Sequence, residues 1–275
     1  MLPNVSKFYR PKELSEAVKL LNSDTELNVV LGGGTQLALS SHPGIQGLVD
    51  LSLLPLGAKK VEGDRLILGA RLRPNDLWDC SDVNSVADGI LAKSAGNYLA
   101  NVQRNRASLG GILMSASAWA EIATTLLAIG GEVTIVTKDG EKDLTFDEFF
   151  TTGPSKAAYR SIIKDLKIQT GGRGAYLRLA KTETDIPIVS AAARLEMDGS
   201  KVTSARIVVG AACPLPIRAT SVEDAIIGQD LTVDLAASAA ETLEIDAVGD
   251  YRASSEYRKD TARVLVKRCL AEIAK

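Results

Sequence analysis

Apolar positions near the start of the chain predict a small α/β unit over residues 1–55. Apolar side chains recur at helical spacing after Pro11, and a proline in the first turn favours the start of a helix. The glycine-bounded run LNVVL, at 27–31, is typical of a buried strand, and GLVDLS, at 47–52, predicts a second strand.

Residues 56–170 continue with mixed elements and form a second predicted unit. RLILGA, at 65–70, predicts a strand. Further on, two apolar runs flank the pair Asp-Gly at 139–140, which favours a hairpin turn. Thr145 and Glu148 have the spacing of a capping box, which predicts the start of a helix just before two phenylalanines.

Loop-like stretches rich in Gly, Pro and Ser predict a domain boundary near residue 170. Residues 171–275 then predict three strands followed by helices, the first of which has Thr220 and Glu223 at capping-box spacing. The predicted fold class is therefore α+β, with an antiparallel three-stranded sheet and helices in the C-terminal domain.

Composition narrows the functional classes. The chain has 275 residues and a net charge of -2, so it lacks the basic field that would hold nucleic acid. No apolar run approaches the roughly 20 residues of a membrane span, and the N-terminus lacks the apolar region of a secretory signal. We expect a cytoplasmic protein with no metal site, since the chain has one histidine, His42, and three scattered cysteines.

The first segment with candidate chemistry is LGGGTQLAL, which follows the first predicted strand. Its residues Leu31, Gly32, Gly33, Gly34, Thr35 and Gln36 combine a tight turn with side-chain donors. Successive unshielded backbone N–H groups can form an anion-binding concavity, yet the same sequence also suits a plain strand-to-helix turn without a ligand. The segment alone does not decide between these two interpretations.

A second segment of this kind is QRNRASLGGILMSAS. Its candidate binding residues are Ser108, Leu109, Gly110, Gly111, Ile112 and Ser117. Arg104 and Arg106 precede it and could hold phosphate or pair with surface carboxylates. A diphosphate needs donors that converge from more than one loop, so two glycine turns in one domain favour a dinucleotide ligand over a structural turn.

Two later groups of charged residues have both a binding and a structural interpretation. Glu121 could accept hydrogen bonds from sugar hydroxyls or be a solvated residue on a helix face. The segment YLRLAKTETDIP could place Arg178 or Lys181 near a cofactor and Ile186 against a ring, or be a solvated run of charges.

These segments resemble those of a known family, the FAD-binding medium subunits of molybdenum hydroxylases of the carbon monoxide dehydrogenase and xanthine dehydrogenase type. The resemblance covers essentially the whole chain, in the same segment order. It rests mainly on LGGGTQLAL, VQRNRASLGGILMSASAWAE, RLAKTETDIPIVSAAARL and DYRASSEYRKDTARVLVKRCL. The chain departs from the family pattern at Ile112, where Asn is usual, at Ala118, where Pro is usual, and at Glu121, where Asp is usual.

The resemblance implies a fold and a cofactor. The FAD-binding domain, residues 1–170, would be of the vanillyl-alcohol-oxidase type with subdomains at about 1–55 and 56–170, followed by the C-terminal domain at 171–275. FAD would lie between the subdomains, with its diphosphate at residues 32–36 and 108–112. Glu121 would lie near its ribityl or ribose hydroxyls, Arg178 near the flavin or its phosphates, and Ile186 against one face of the flavin ring. Arg104 and Arg106 would then be scaffold or partner contacts.

The resemblance also implies a function. The chain would be the electron-transfer subunit of an oxidoreductase, taking electrons from [2Fe-2S] clusters on a small subunit and passing them through FAD to an external acceptor. A large subunit with molybdopterin would oxidise the substrate, and the heterotrimer would dimerise. No catalytic acid or base is expected on this chain. Two alternatives remain open: a nucleotide-binding or scaffold subunit that has lost redox function, and a stand-alone flavin dehydrogenase.

Overall fold

The computed structural model describes residues 2–115 and 121–275, and its first unit contains a three-stranded parallel sheet of order β1-β3-β2. The elements of this unit are β1 (Lys7–Tyr9), α1 (Leu14–Leu21), β2 (Asn28–Leu31) and β3 (Gly47–Asp50). The predicted helix and both predicted strands are confirmed. Helix α1 covers the sheet with its apolar face, on which Ala17, Val18 and Leu21 are buried.

The second unit is built on a five-stranded antiparallel sheet of order β4-β5-β8-β6-β7. In chain order its elements are β4 (Lys59–Glu62), β5 (Arg65–Gly69), α2 (Pro74–Trp78), α3 (Ser81–Asn84), α4 (Ile90–Asn97), α5 (Asn101–Arg104), α6 (Leu109–Ser115), α7 (Glu121–Ile129), β6 (Gly131–Thr137), β7 (Gly140–Thr145), α8 (Phe146–Thr152), α9 (Pro154–Ala157) and β8 (Ile162–Gln169). Short 3-10 turns at Leu37–Leu39, Leu51–Leu53 and Ala87–Gly89 connect elements of the first two units.

The hairpin β6–β7 confirms one prediction and corrects its detail. Thr137 pairs with Gly140, so the two residues of the turn are Lys138 and Asp139, one position earlier than predicted. Gly140 has a φ of 120° and opens β7. The capping box ahead of α8 is present, since Thr145 and Glu148 bond to each other's backbone N–H groups.

The C-terminal unit has a four-stranded antiparallel sheet of order β12-β11-β10-β9, so the prediction of three strands is wrong. Its elements are β9 (Arg173–Leu179), β10 (Val189–Asp198), β11 (Lys201–Gly210), β12 (Ile217–Arg218), α10 (Thr220–Ile226), α11 (Val233–Glu241) and α12 (Ser255–Ile273). The additional strand, β12, has only two residues and therefore gives no alternating pattern by which sequence could predict it.

The buried apolar side chains form three clusters, one for each unit. The first lies within residues 17–56 and includes two residues of the second unit. The second lies within 66–168 and includes three residues of the C-terminal sheet, and the third lies within 175–273. Helix α7 is fully buried along its length, and the C-terminal sheet packs against it. Arg194 donates to the carbonyl of Ile129 and Arg206 donates to that of Leu127, which fixes the sheet at the end of α7.

Across residues 2–115 and 121–275, no helix is both long and apolar enough to cross a membrane.

Candidate functional site

A cleft of about 500 Å³ lies between the parallel sheet and the second unit, and both glycine segments line it. From the first segment the cleft is lined by Gly32, Gly33, Gly34, Thr35 and Gln36, and from the second by Ser108, Gly110, Gly111 and Ile112. Two segments that lie more than 70 positions apart in sequence therefore form one site, as the dinucleotide interpretation requires.

The glycines of the first segment, which we call the first loop (residues 32–36), allow it to contact the second loop (residues 106–112). A Cβ atom on Gly33 would lie 1.9 Å from the carbonyl oxygen of Arg106, and one on Gly32 would lie 2.5 Å from Ser108 Oγ. Gly34 has a φ of 74°, in the left-handed region that favours glycine. Close packing of the two loops, rather than approach to a ligand alone, therefore requires glycine at 32 and 33.

Backbone N–H groups are available on the first loop and largely occupied on the second. Among the described residues, the backbone bonds outside helices and strands include none donated by Gly33, Gly34, Thr35 or Gln36. In the second loop, by contrast, Leu109 donates to Leu72, Gly110 to Ala70 and Ile112 to Ser108. The expectation that both loops offer bare N–H groups is therefore wrong for these positions of the second loop, because they hold α6 onto the sheet.

The strand β2 is less buried than its apolar sequence predicts. Val29, Val30 and Leu31 are only half-buried, and Val29 and Val30 line the cleft. An apolar strand that faces an open cleft leaves surface that an apolar or aromatic ligand can cover. The strand is thus present but less buried than predicted, and its half-buried apolar side chains indicate a ligand-binding surface.

The cleft is also lined by polar residues that were not predicted from the sequence. Arg71 and Arg160 bring positive charge to its walls, and Arg71 donates to the carbonyl of Ser52 at 2.7 Å. Three residues that line the cleft each have a buried polar atom without a hydrogen-bond partner among the described residues: Asn28 Oδ1, Arg160 Nε and Ser161 Oγ. Asn28 Oδ1 faces Gly47 of the neighbouring strand. Because buried polar atoms are rarely left unpaired, Arg160 and Ser161 are the candidates for contact with a polar ligand.

Arg104, just before the second loop, and Arg106, its first residue, do not act as a pair in the cleft. The Arg104 guanidinium donates to the carbonyl of Leu99 at 2.6 Å and lies 5.4 Å from the centre of the Trp78 ring. Arg104 thus holds the chain between α4 and α5, which fits the expectation of a scaffold role. Arg106 contributes its backbone to the contact with Gly33, and its side chain is exposed.

Glu121, Arg178 and Ile186 form a second group outside the residues that line the cleft. Glu121 has only 1% of its side chain exposed, accepts a hydrogen bond from Tyr176 Oη and forms an ion pair with Arg178, whose Nε lies 3.2 Å from the carboxylate. Burial raises the pKa of Glu121 to about 7, although Arg178 and Tyr176 act in the opposite direction. Glu121 is therefore neither a solvated helix-face residue nor in contact with the cleft.

Tyr98 connects this second group with the cleft. It lines the cleft at the end of α4, and burial together with the nearby Glu121 carboxylate raises its pKa to about 12. Ile186 is half-buried at the end of the segment that Arg178 contacts. The remaining predicted residues are Leu31, half-buried at the end of β2, Leu109, fully buried under the second loop, and Ser117, which lies outside the described residues.

A cleft between two units, lined by a glycine loop with available N–H groups, basic side chains and an apolar strand, defines a nucleotide-binding protein. Comparison with known proteins identifies its family. Residues 4–168 match the FAD binding domain in molybdopterin dehydrogenase, and residues 174–273 match the CO dehydrogenase flavoprotein C-terminal domain. The first match covers more than half of the chain, so the chain belongs to this family of FAD-binding domains.

Individual relatives match over their full length. The nicotine 6-hydroxylase medium subunit of Paenarthrobacter nicotinovorans is 28% identical over 97% of this chain and 96% of its own. The glyceraldehyde dehydrogenase medium chain of Sulfolobus acidocaldarius is 23% identical over the whole of both chains. A solved structure of carbon monoxide dehydrogenase from Hydrogenophaga pseudoflava superposes with a TM-score of 0.89 at 23% identity, over 100% of this chain and 98% of that one. The family resemblance expected from sequence is confirmed: this chain is an FAD-binding oxidoreductase subunit of the molybdenum hydroxylase family.

Proposed function

We propose that the cleft between the two loops holds the diphosphate and adjoining parts of FAD. The observation that carries this proposal is that one cleft is lined by the first loop, whose N–H groups are available, and by Arg160 and Ser161, which each have an unpartnered polar atom. Both features suit a ligand that is polar along one edge, and the half-exposed strand β2 suits a ligand with aromatic rings.

The two loops have different roles in this proposal. The first loop provides the backbone N–H groups of residues 33–36 and the Thr35 and Gln36 side chains to the diphosphate. Residues 108–112 support them, because Ser108 packs against Gly32 and the amides of Leu109 and Gly110 fasten α6 to the sheet. Ile112 lines the cleft at the position where the family usually has Asn, so it offers the ligand an apolar side chain in place of an amide.

The flavin end of the cofactor belongs near the second group of residues. Glu121 was predicted near the ribityl or ribose hydroxyls, Arg178 near the flavin or its phosphates, and Ile186 against one face of the flavin ring. Tyr98 links this group to the cleft. We place Ile186 at a face of the flavin ring. FAD, when bound, would supply the electron chemistry between donors on partner subunits and an external acceptor.

Domain layout and assembly extend the proposal. We propose an FAD-binding domain at 1–170, with vanillyl-alcohol-oxidase-type subdomains at about 1–55 and 56–170, and a C-terminal domain at 171–275; the three apolar clusters support this division. The relatives are named as medium subunits, which supports a heterotrimer with a large molybdopterin subunit and a small iron–sulfur subunit. Dimerisation of the heterotrimer and a cytoplasmic location stay predictions.

FAD titration of the purified chain tests the proposal. We expect one FAD per chain, with quenching or a spectral shift of the flavin on binding. A folded chain that takes up no FAD would contradict the proposal and favour a scaffold subunit without redox function. Purification of the native protein tests the assembly: co-purification with two partners supports the heterotrimer, whereas an active flavoprotein alone favours a stand-alone dehydrogenase.

A further inference from the structure

Arg178 is the centre of a buried junction that joins three parts of the chain. Its Nη1 donates to the carbonyl of Asn97 at 3.0 Å and to that of Glu183 at 3.2 Å, and its Nη2 donates to the carbonyl of Asp185. The end of α4 and the segment after β9 are thus held together by one guanidinium. We call residues 181–186 the flavin-side segment, since it ends at Ile186.

Glu121 fixes the orientation of this guanidinium. Its carboxylate lies 3.2 Å from Arg178 Nε, the N–H group of the guanidinium from which none of the three carbonyls accepts. Glu121 is buried, with 1% of its side chain exposed, and Arg178 is half-buried, with 11% exposed. A carboxylate at this position therefore selects the rotation of the guanidinium plane in which all three carbonyls are reached at once.

The position of Glu121 separates it from direct contact with the cleft. The ionisable groups that face its carboxylate are Tyr98 at the end of α4, and Tyr176 and Arg178 on β9. Of these, only Tyr98 lines the cleft. Glu121 is one methylene longer than the Asp that is usual in the family, and its carboxylate is engaged with β9.

We propose that Glu121 is a positioning residue: it orients Arg178, which holds the flavin-side segment against the end of α4 and so sets the position of Ile186. The consequence for the flavin rests on the proposed FAD site, but the consequence for the segment does not. The proposal predicts a pH dependence: burial raises the pKa of Glu121 to about 7, and loss of its charge below that pH would weaken the contact with Arg178.

Hydrogen exchange of the FAD-free chain tests the contact with the segment. In Glu121→Gln at pH 8 we expect the amides of Asp185 and Ile186 to exchange about tenfold faster than in the wild type, the effect of weakening a charge-assisted hydrogen bond. Arg178→Gln should do the same. Glu223→Gln is the matched control, because Glu223 is equally buried and pairs with Arg218 in the C-terminal unit; it should leave the segment unchanged.

The flavin readout separates this proposal from the FAD site itself. With FAD bound, the visible circular dichroism of the wild type should titrate with a midpoint near pH 7, and that of Glu121→Gln should not. If the wild type binds no FAD, the proposed function fails while the exchange data still decide the positioning role. Unchanged exchange in either Glu121→Gln or Arg178→Gln, or the same acceleration in Glu223→Gln, would overturn the proposal. If Glu121→Gln does not fold, the pH dependence of the wild type decides it: after correction for intrinsic exchange, the amides of Asp185 and Ile186 should exchange faster below the pKa of Glu121 than above it. Exchange that does not change across this range would overturn the proposal.

Discussion

The carbonyl oxygen of Arg106 occupies the space that a side chain on Gly33 would need: a Cβ atom there would lie 1.9 Å from it. The atom in the way belongs to the backbone, so no side-chain rotation relieves the overlap. This contact holds the first loop against the second and defines one end of the cleft. Gly33 is therefore the position at which the geometry of the site is most sensitive to a single methyl group.

Gly33→Ala should separate the loops and lower FAD affinity by at least about tenfold, with about 1–3 kcal/mol lost from the free energy of unfolding, as is usual for overpacking. Gly57→Ala is the matched control, since no atom lies within 4 Å of its Cβ position. The control should be neutral or slightly stabilising and bind FAD normally. FAD titration and urea unfolding of both variants check this; equal FAD affinity in the two would contradict the role of the loop contact.

Gly34→Ala tests the left-handed backbone of the first loop. Gly34 has a φ of 74° and Gly63, in the turn between β4 and β5, has a φ of 63°. An alanine at either position costs about 1–2 kcal/mol of stability because its Cβ is strained in this conformation. We expect similar losses of stability from Gly34→Ala and Gly63→Ala, but a loss of FAD affinity from Gly34→Ala only. Parallel thermal unfolding and FAD titration separate the two effects, and weakened binding in both variants would count against a role for the first loop.

Ser161→Ala should change stability and cofactor affinity in opposite directions. Ser161 Oγ is buried in the cleft without a partner among the described residues, so its removal should leave the FAD-free chain unchanged or up to about 1 kcal/mol more stable. FAD affinity should fall by about 3- to 10-fold, the contribution of one hydrogen bond. Ser190→Ala removes an equally unpartnered hydroxyl of the C-terminal unit and should leave FAD affinity unchanged. Unchanged FAD affinity in Ser161→Ala would exclude this hydroxyl from the site.

Glu121 should make the stability of the chain depend on pH. Its pKa is about 7 in the folded chain and near the ordinary 4.5 in the unfolded chain, so the folded state binds more protons between these values. Its contribution to stability is therefore complete below pH 4.5 and is lost as the pH rises through 7, by on the order of 3 kcal/mol. The free energy of unfolding of Glu121→Gln should lack this loss between pH 5 and pH 8. Identical pH dependence in wild type and variant, by urea unfolding, would contradict the raised pKa.

Two capping boxes predicted from the same spacing illustrate what sequence can and cannot predict. Thr145 and Glu148 lie on the surface and form the box as predicted, because nothing else competes for the carboxylate. Glu223 has the same spacing from Thr220 but is buried, where it accepts from the N–H of Ile207 and pairs with Arg218. Helix α10 begins without a side-chain cap, so the predicted box at Thr220 is wrong. Tertiary contacts determine whether each glutamate caps its helix, and the local spacing contains no information about these contacts.

The same limit applies to the site. The glycine loops were predicted because their composition is unusual and the family resemblance supports them, and the cleft contains both. No motif in the sequence marked Arg160 and Ser161 as site residues. They lie at the end of a loop-like stretch, just before β8, a central strand that was not predicted. Their place in the cleft depends on β8 pairing between β5 and β6, a long-range contact. Hydrophobic periodicity predicts which face of a helix or strand is buried. Which elements contact each other depends on the order of the strands in the sheet, which periodicity does not predict.

Hydrogen exchange of the chain, measured with and without FAD, tests most directly the claim that this cleft is the FAD site, because it locates the cofactor on the chain. We predict protection on FAD binding in the peptides that contain the first loop, the second loop with α6, and Arg160–Ser161, with no protection in α10 and α11. Protection confined to other parts of the chain, or none at saturating FAD, would contradict the assignment of this cleft as the FAD site.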